Sequence, residues 1–217
     1  METELAWRTA AALTGLLGGA VGAWFSVALP AGAGERAAPS GRRLAGFAAA
    51  GLLAGVWAGQ LTPGPLGVLT SALGAALLLV AVVDGEHLWL PRVLTVPLGL
   101  AGIASALVID TAEALDRIAG AAAGFAVLAL LSWAYRALRG REGLGGGDAW
   151  LLGALGAWVG WMGLPSVLLW ACAAGLSWAI ARQASGRGMA MTDALPFGVF
   201  LAIGGWLTWL YGPLGLT

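Results

Sequence analysis

With 59% apolar and only 10% charged residues in 217 positions, the chain lies far below the roughly 25% charge content of soluble domains. Eleven acids balance eleven basic residues, all of the latter arginine, so there is too little charge to cover a water-exposed surface. A soluble globular fold is excluded.

About twenty apolar residues carry a helix across a bilayer, and that pattern recurs along the chain. The expected fold is all-α: a polytopic transmembrane bundle of about eight helices forming one domain over residues 1–217. Glycine, at 36 residues, would be costly inside soluble helices. In a membrane small residues let helices approach closely, a use that fits Gly15-Leu-Leu-Gly18-Gly19 and Gly153-Ala-Leu-Gly156. The twelve tryptophans divide between interfacial belts and packing. Cys172, the single cysteine, reads as a small buried hydrophobe.

The first span is expected at 6–29. Its acidic start, Met1-Glu-Thr-Glu4, is unlike the basic start of a signal peptide, so a permanent helix is expected. Pro30, Gly32 and Gly34 end it. Spans at 42–61 and 64–84 flank the turn Thr62-Pro-Gly-Pro65, and Gly85 and Pro91 bracket the next break. Spans at 91–110 and 114–138 follow. The run Gly140 to Gly147 then opens a span at 148–163, succeeded by 165–183 and, past Gly186 and Gly188, by 194–212. Nine arginines (Arg36, Arg42, Arg43, Arg92, Arg136, Arg139, Arg141, Arg182 and Arg187) fall at alternate breaks, and only Arg8 and Arg117 fall at the others. The positive-inside rule makes the arginine-rich side cytoplasmic.

An ionisable residue at membrane depth is a functional candidate by default. Asp84 ends the apolar run Leu73 to Val83, and Asp148 opens the run Ala149 to Trp161. The expected topology puts both at one level on the cytoplasmic side, where two carboxylates can share a proton as aspartate-pair hydrolysis requires. Asp148 also suits a helix N-cap, and Asp84 an interfacial position.

The strings around them are more specific. Asp84-Gly-Glu-His-Leu-Trp-Leu-Pro-Arg-Val-Leu-Thr-Val-Pro97 closely resembles the first active-site segment of type IV prepilin peptidases, matching at Asp84, Glu86, His87, Pro91, Thr95 and Pro97. Gly143-Leu-Gly-Gly-Gly-Asp148 resembles that family's Gly-x-Gly-Asp motif, which includes Gly145 and Gly147, and Leu195-Pro-Phe-Gly-Val-Phe-Leu-Ala202 resembles its C-terminal segment through Pro196. Residues 40–212 carry the likeness, and Gly18 to Pro30 extend it weakly, with Ser26 where the family has asparagine. Trp150 departs from the family, which often has lysine there.

The resemblance implies an aspartic endopeptidase that removes a short leader from prepilin or pseudopilin substrates at the cytoplasmic face of the bacterial inner membrane. Asp84 and Asp148 would be catalytic, and Glu86, His87, Pro91, Gly145, Gly147 and Pro196 would shape the site. Membrane lipid is the other expected partner, and neither nucleic acid nor a cofactor is. One histidine and no thiolate cluster leave no structural zinc site. The paired Cys-x-x-Cys motifs that follow Pro30 in bifunctional members, linked to N-methylation, are absent. Helix-end dipoles suggest Asp148 as base and Asp84 as acid. Competing readings are another Gly-x-Gly-Asp protease, a proton- or cation-coupled transporter, and a non-catalytic pilus or secretion assembly factor.

Overall fold

The structure, a computed structural model, describes residues 2–31, 38–140, 145–186 and 195–215. Arg36, Arg141, Arg187 and Gly143 lie outside the described residues. The described elements are helices: α1 Glu2–Ala31, α2 Gly41–Leu61, α3 Pro65–His87, α4 Arg92–Ile109, α5 Ala114–Arg139, α6 Gly146–Ala184 and α7 Phe197–Tyr211. The all-α expectation holds. Six of the seven are long and apolar enough to cross a membrane, and α7 is shorter.

The chain packs as two compact units, Met1–Val83 and Asp84–Thr217. In the first, α1 lies against α2 through glycine. A Cβ at Gly15 or Gly19 would run into the backbone carbonyl of Gly51 or Phe47, and one at Gly55 would run into Ala11. The two backbones touch because no side chains separate them. Ser40 opens α2 as a side-chain cap on the Arg43 N–H, 3.3 Å away. Arg43 in turn donates its Nε to the buried Ser26 Oγ at 2.9 Å.

The second unit explains the count of eight. Helix α6 is interrupted at Gly160, whose φ of 70° and ψ of 176° are not helical; only glycine adopts that combination readily. Before the break α6 runs parallel to α7: a Cβ at Gly205 would strike Leu155, and the Trp158 and Trp209 rings stack edge-on with centroids 5.3 Å apart. After it the order reverses, because Leu214 N–H donates to Ser166 Oγ at 2.8 Å while the Trp178 ring lies 6.2 Å from Phe200. So α6 is a helical hairpin, and its two arms are the sixth and seventh expected spans. The bend falls at Gly160 rather than near 164, because only that residue leaves the helical region and Pro165 stays inside the returning arm.

The outgoing arm is central to this unit. Helix α5 packs on it where a Cβ at Gly156 would strike the Gly120 carbonyl, and α4 where a Cβ at Gly102 would strike Ala157. Arg117, one of the two arginines on the arginine-poor side, is 7% exposed. It donates to Glu113 Oε2 at 2.8 Å and to Ser105 Oγ at 3.0 Å, and lies over the Trp209 ring. Arg117 ties α5 to α4, which accounts for its place against the charge rule.

Candidate active site

Asp84 and Asp148 are 5% and 6% exposed, the two buried acids among the described residues. Both belong to the second unit. They arrive on different elements, α3 and α6, and their carboxyl groups lie close enough to repel each other when both are charged.

Asp84 sits one turn before the end of α3. The helix runs to His87, three residues past the expected end, and closes with Leu88 N–H donating to the Asp84 carbonyl at 2.8 Å. Leu88 adopts φ of 51°, the left-handed region, without being glycine. Such strain persists only where surrounding structure enforces it. Here the enforced turn delivers the buried Leu90 to the site's glycines, Gly147 and Gly198, while Pro91, also buried, is the N-cap of α4. Glu86 and His87 are therefore helical rather than in a loop, and both are exposed, with His87 Nε2 3.8 Å from Glu86 Oε2. They stand beside the buried pair, not within it.

Asp148 is the third residue of α6, because that helix opens at Gly146 instead of at the aspartate. Its carboxylate accepts from the backbone N–H of Gly145, the back-reaching half of a capping box. The N-cap position belongs to Gly145, so the simple capping role is replaced by this one. A Cβ on Gly145 would press on Asp148 Oδ2 at 3.2 Å, and one on Gly147 would meet Leu90 Cβ at 2.6 Å. Both glycines are spacers through which backbone reaches the site.

A third segment completes the geometry. Pro196 occupies the N-cap position of α7. Val199 N–H, in the first turn, donates to Asp84 Oδ2 at 3.1 Å while also facing the Pro196 carbonyl at 3.2 Å. A Cβ at Gly198 would lie 2.8 Å from Asp84 Oδ2 and 2.6 Å from Leu90 Cδ1. Gly198 thus admits the α7 backbone to the carboxylate, and Leu90 wedges between the two glycine segments. Neither Gly198 nor Leu90 was singled out from sequence, although both sit inside the matching strings beside Pro196 and Pro91. The helix-end argument for acid and base roles loses its basis, since each carboxylate now faces the amino end of a helix. No three His, Cys, Asp or Glu side chains cluster as metal ligands do among the described residues.

Residues 71–180 match the type IV leader peptidase family. The chain belongs to this family. Among its relatives, the prepilin leader peptidase/N-methyltransferase of Burkholderia pseudomallei is 42% identical over 69% of this chain and 48% of its own length. The protein of the same name from Aeromonas salmonicida is 39% identical over 74% of this chain and 55% of its own, and that from Dichelobacter nodosus 42% over 63% and 46%. The chain therefore spans about half the length of these relatives. No solved structure matches it. Family membership and six long apolar helices make it an integral membrane protein.

Proposed function

We propose that this chain is an aspartic endopeptidase that removes the leader from prepilin-like substrates at the cytoplasmic face of the membrane. The observation carrying the proposal is the meeting of two buried aspartates from separate helices, each in a string shared with the family. In the reaction one carboxylate takes a proton from water as it attacks the peptide carbonyl, and the other donates a proton to the carbonyl oxygen or the departing amine. A like-charged pair in a poorly hydrated site can hold one proton between its members, which supplies both roles. Backbone exposed at Gly145 and Gly146 offers a close approach for an extended substrate strand.

Depth supports an intramembrane reaction. Helix α7, with 15 residues, is about 22 Å long at 1.5 Å per residue, against about 30 Å of hydrocarbon. If its carboxyl end reaches the far interface, its amino end, where Asp84 is held, lies below the near one. The arginine asymmetry supports assigning that near side to the cytoplasm. The proposal is confined to hydrolysis, because the cysteine motifs that the resemblance ties to methylation are missing from a sequence with one cysteine.

The test is co-expression with a prepilin, followed by Asp84→Ala and Asp148→Ala. Leader removal should stop in each variant while the protein still inserts in the membrane. Cleavage that survives both substitutions would reject the reading.

A further inference from the structure

Helices α4, α5 and the outgoing arm of α6 leave a slot of about 180 Å³ between them, lined by Val96, Gly99 and Leu100 among others. Its α4 wall is Thr95, Val96, Gly99, Leu100 and Ile103, and Arg92 stands one turn before Thr95 on the same helical stripe, just beyond the lining. The facing walls include Phe125 and Trp150, whose rings lie 4.8 Å apart. Val96, Leu100 and Phe125 are exposed at its rim, so the slot opens on the outside of the unit.

The polar groups are ordered along this stripe. At one end the Arg92 guanidinium lies over the Trp150 ring, 4.9 Å from its centroid, and no carboxylate pairs with it among the described residues. One turn further in, Thr95 is 1% exposed, so its hydroxyl is closed off from the slot. Beyond Thr95 the lining is apolar. A cation at the mouth of an apolar channel matches the phosphate and acyl chain of a phospholipid.

We infer that this slot binds one anionic phospholipid, with its phosphate on Arg92 and one acyl chain between α4 and α5. Charge complementarity favours this occupant over a second copy of the chain or another apolar helix. Either of those would cover the guanidinium without bringing it a counter-anion. The inference does not depend on the peptidase reading.

The test is native mass spectrometry of the full chain, equilibrated in mixed micelles with phosphatidylglycerol and phosphatidylcholine of the same acyl composition. The wild type should retain one phosphatidylglycerol with about a fivefold preference, the scale of one arginine near an anionic lipid. Arg92→Gln should bring the two lipids within twofold of each other, and Arg92→Lys should keep most of the preference. Ala121→Leu, which fills the slot, should lose both lipids; Val96→Trp at the rim serves the same purpose if the first variant does not fold. Equal retention of both lipids by the wild type would overturn the inference. So would bound phosphatidylglycerol unchanged by Arg92→Gln and by either blocking variant, its displacement by inorganic phosphate, or a lipid-free dimer that Ala121→Leu dissociates.

Discussion

The second unit buries charge in two places, and the two are built on opposite principles. Around Arg117 a cation meets a carboxylate at 2.8 Å, a serine hydroxyl at 3.0 Å and an aromatic face. At the other end two carboxylates of the same sign are buried near each other, and among the described residues the backbone N–H groups of Val199, Gly198 and Gly145 are turned toward them. Removing one partner of a satisfied ion is costly to the fold, whereas a buried like-charged pair itself costs stability and is the candidate for chemistry. The contrast teaches which buried charge to read as scaffold and which as site.

Substitutions can break that contrast, and the aspartates should give the largest effect. Asp84→Asn or Asp148→Asn should lower leader cleavage by at least about a thousandfold, within the range of a lost acid–base group. Because repulsion is relieved, the thermal midpoint in detergent should not fall. A drop in that midpoint together with residual cleavage would place the pair with the scaffold. Gly198→Ala comes next. A methyl so near Asp84 and Leu90 should cut cleavage by about ten- to a hundredfold, as small misplacements of reacting groups do, with membrane insertion intact. Wild-type rates would show that α7 does not position Asp84.

Arg117→Ala should have the reverse signature. It should lower unfolding free energy by about 2–3 kcal/mol, the scale of hydrogen bonds to a buried charged group. Cleavage measured well below the unfolding midpoint should stay within twofold. The smallest effect is expected at Glu86 and His87. Because both are exposed, Glu86→Gln and His87→Ala should shift stability by no more than about 0.5 kcal/mol. Any loss of cleavage should be several-fold and appear mainly in KM, as expected for residues that touch substrate without reacting. A kcat loss matching that of Asp84→Asn would move His87 into the reaction itself.

Much of the layout was legible along the chain. Hydropathy placed the spans because crossing a bilayer is a local requirement, written into each run of about twenty residues. Even the α6 hairpin was readable as two spans, although the bend fell at Gly160 rather than near 164, since only a glycine readily takes the extended left-handed backbone of the bend. Asp84 and Asp148 stood out because acids at the ends of apolar runs are rare and expensive. Glu86 and His87 were less well placed, since nothing local distinguishes a helix that stops at 84 from one that continues to His87.

Sequence alone determined an all-helical membrane protein, the family whose strings it carries, and two aspartates as the residues to test, for each of these depends on neighbours along the chain. The tertiary structure decided the rest: that α7 lends a backbone N–H to Asp84, that Gly198 and Gly147 leave room for Leu90, and that Arg117 is a tie instead of a topology signal. Those contacts join residues as far apart as Asp84 and Val199, and the only local trace of such a contact is a small residue where packing leaves no room for a larger one.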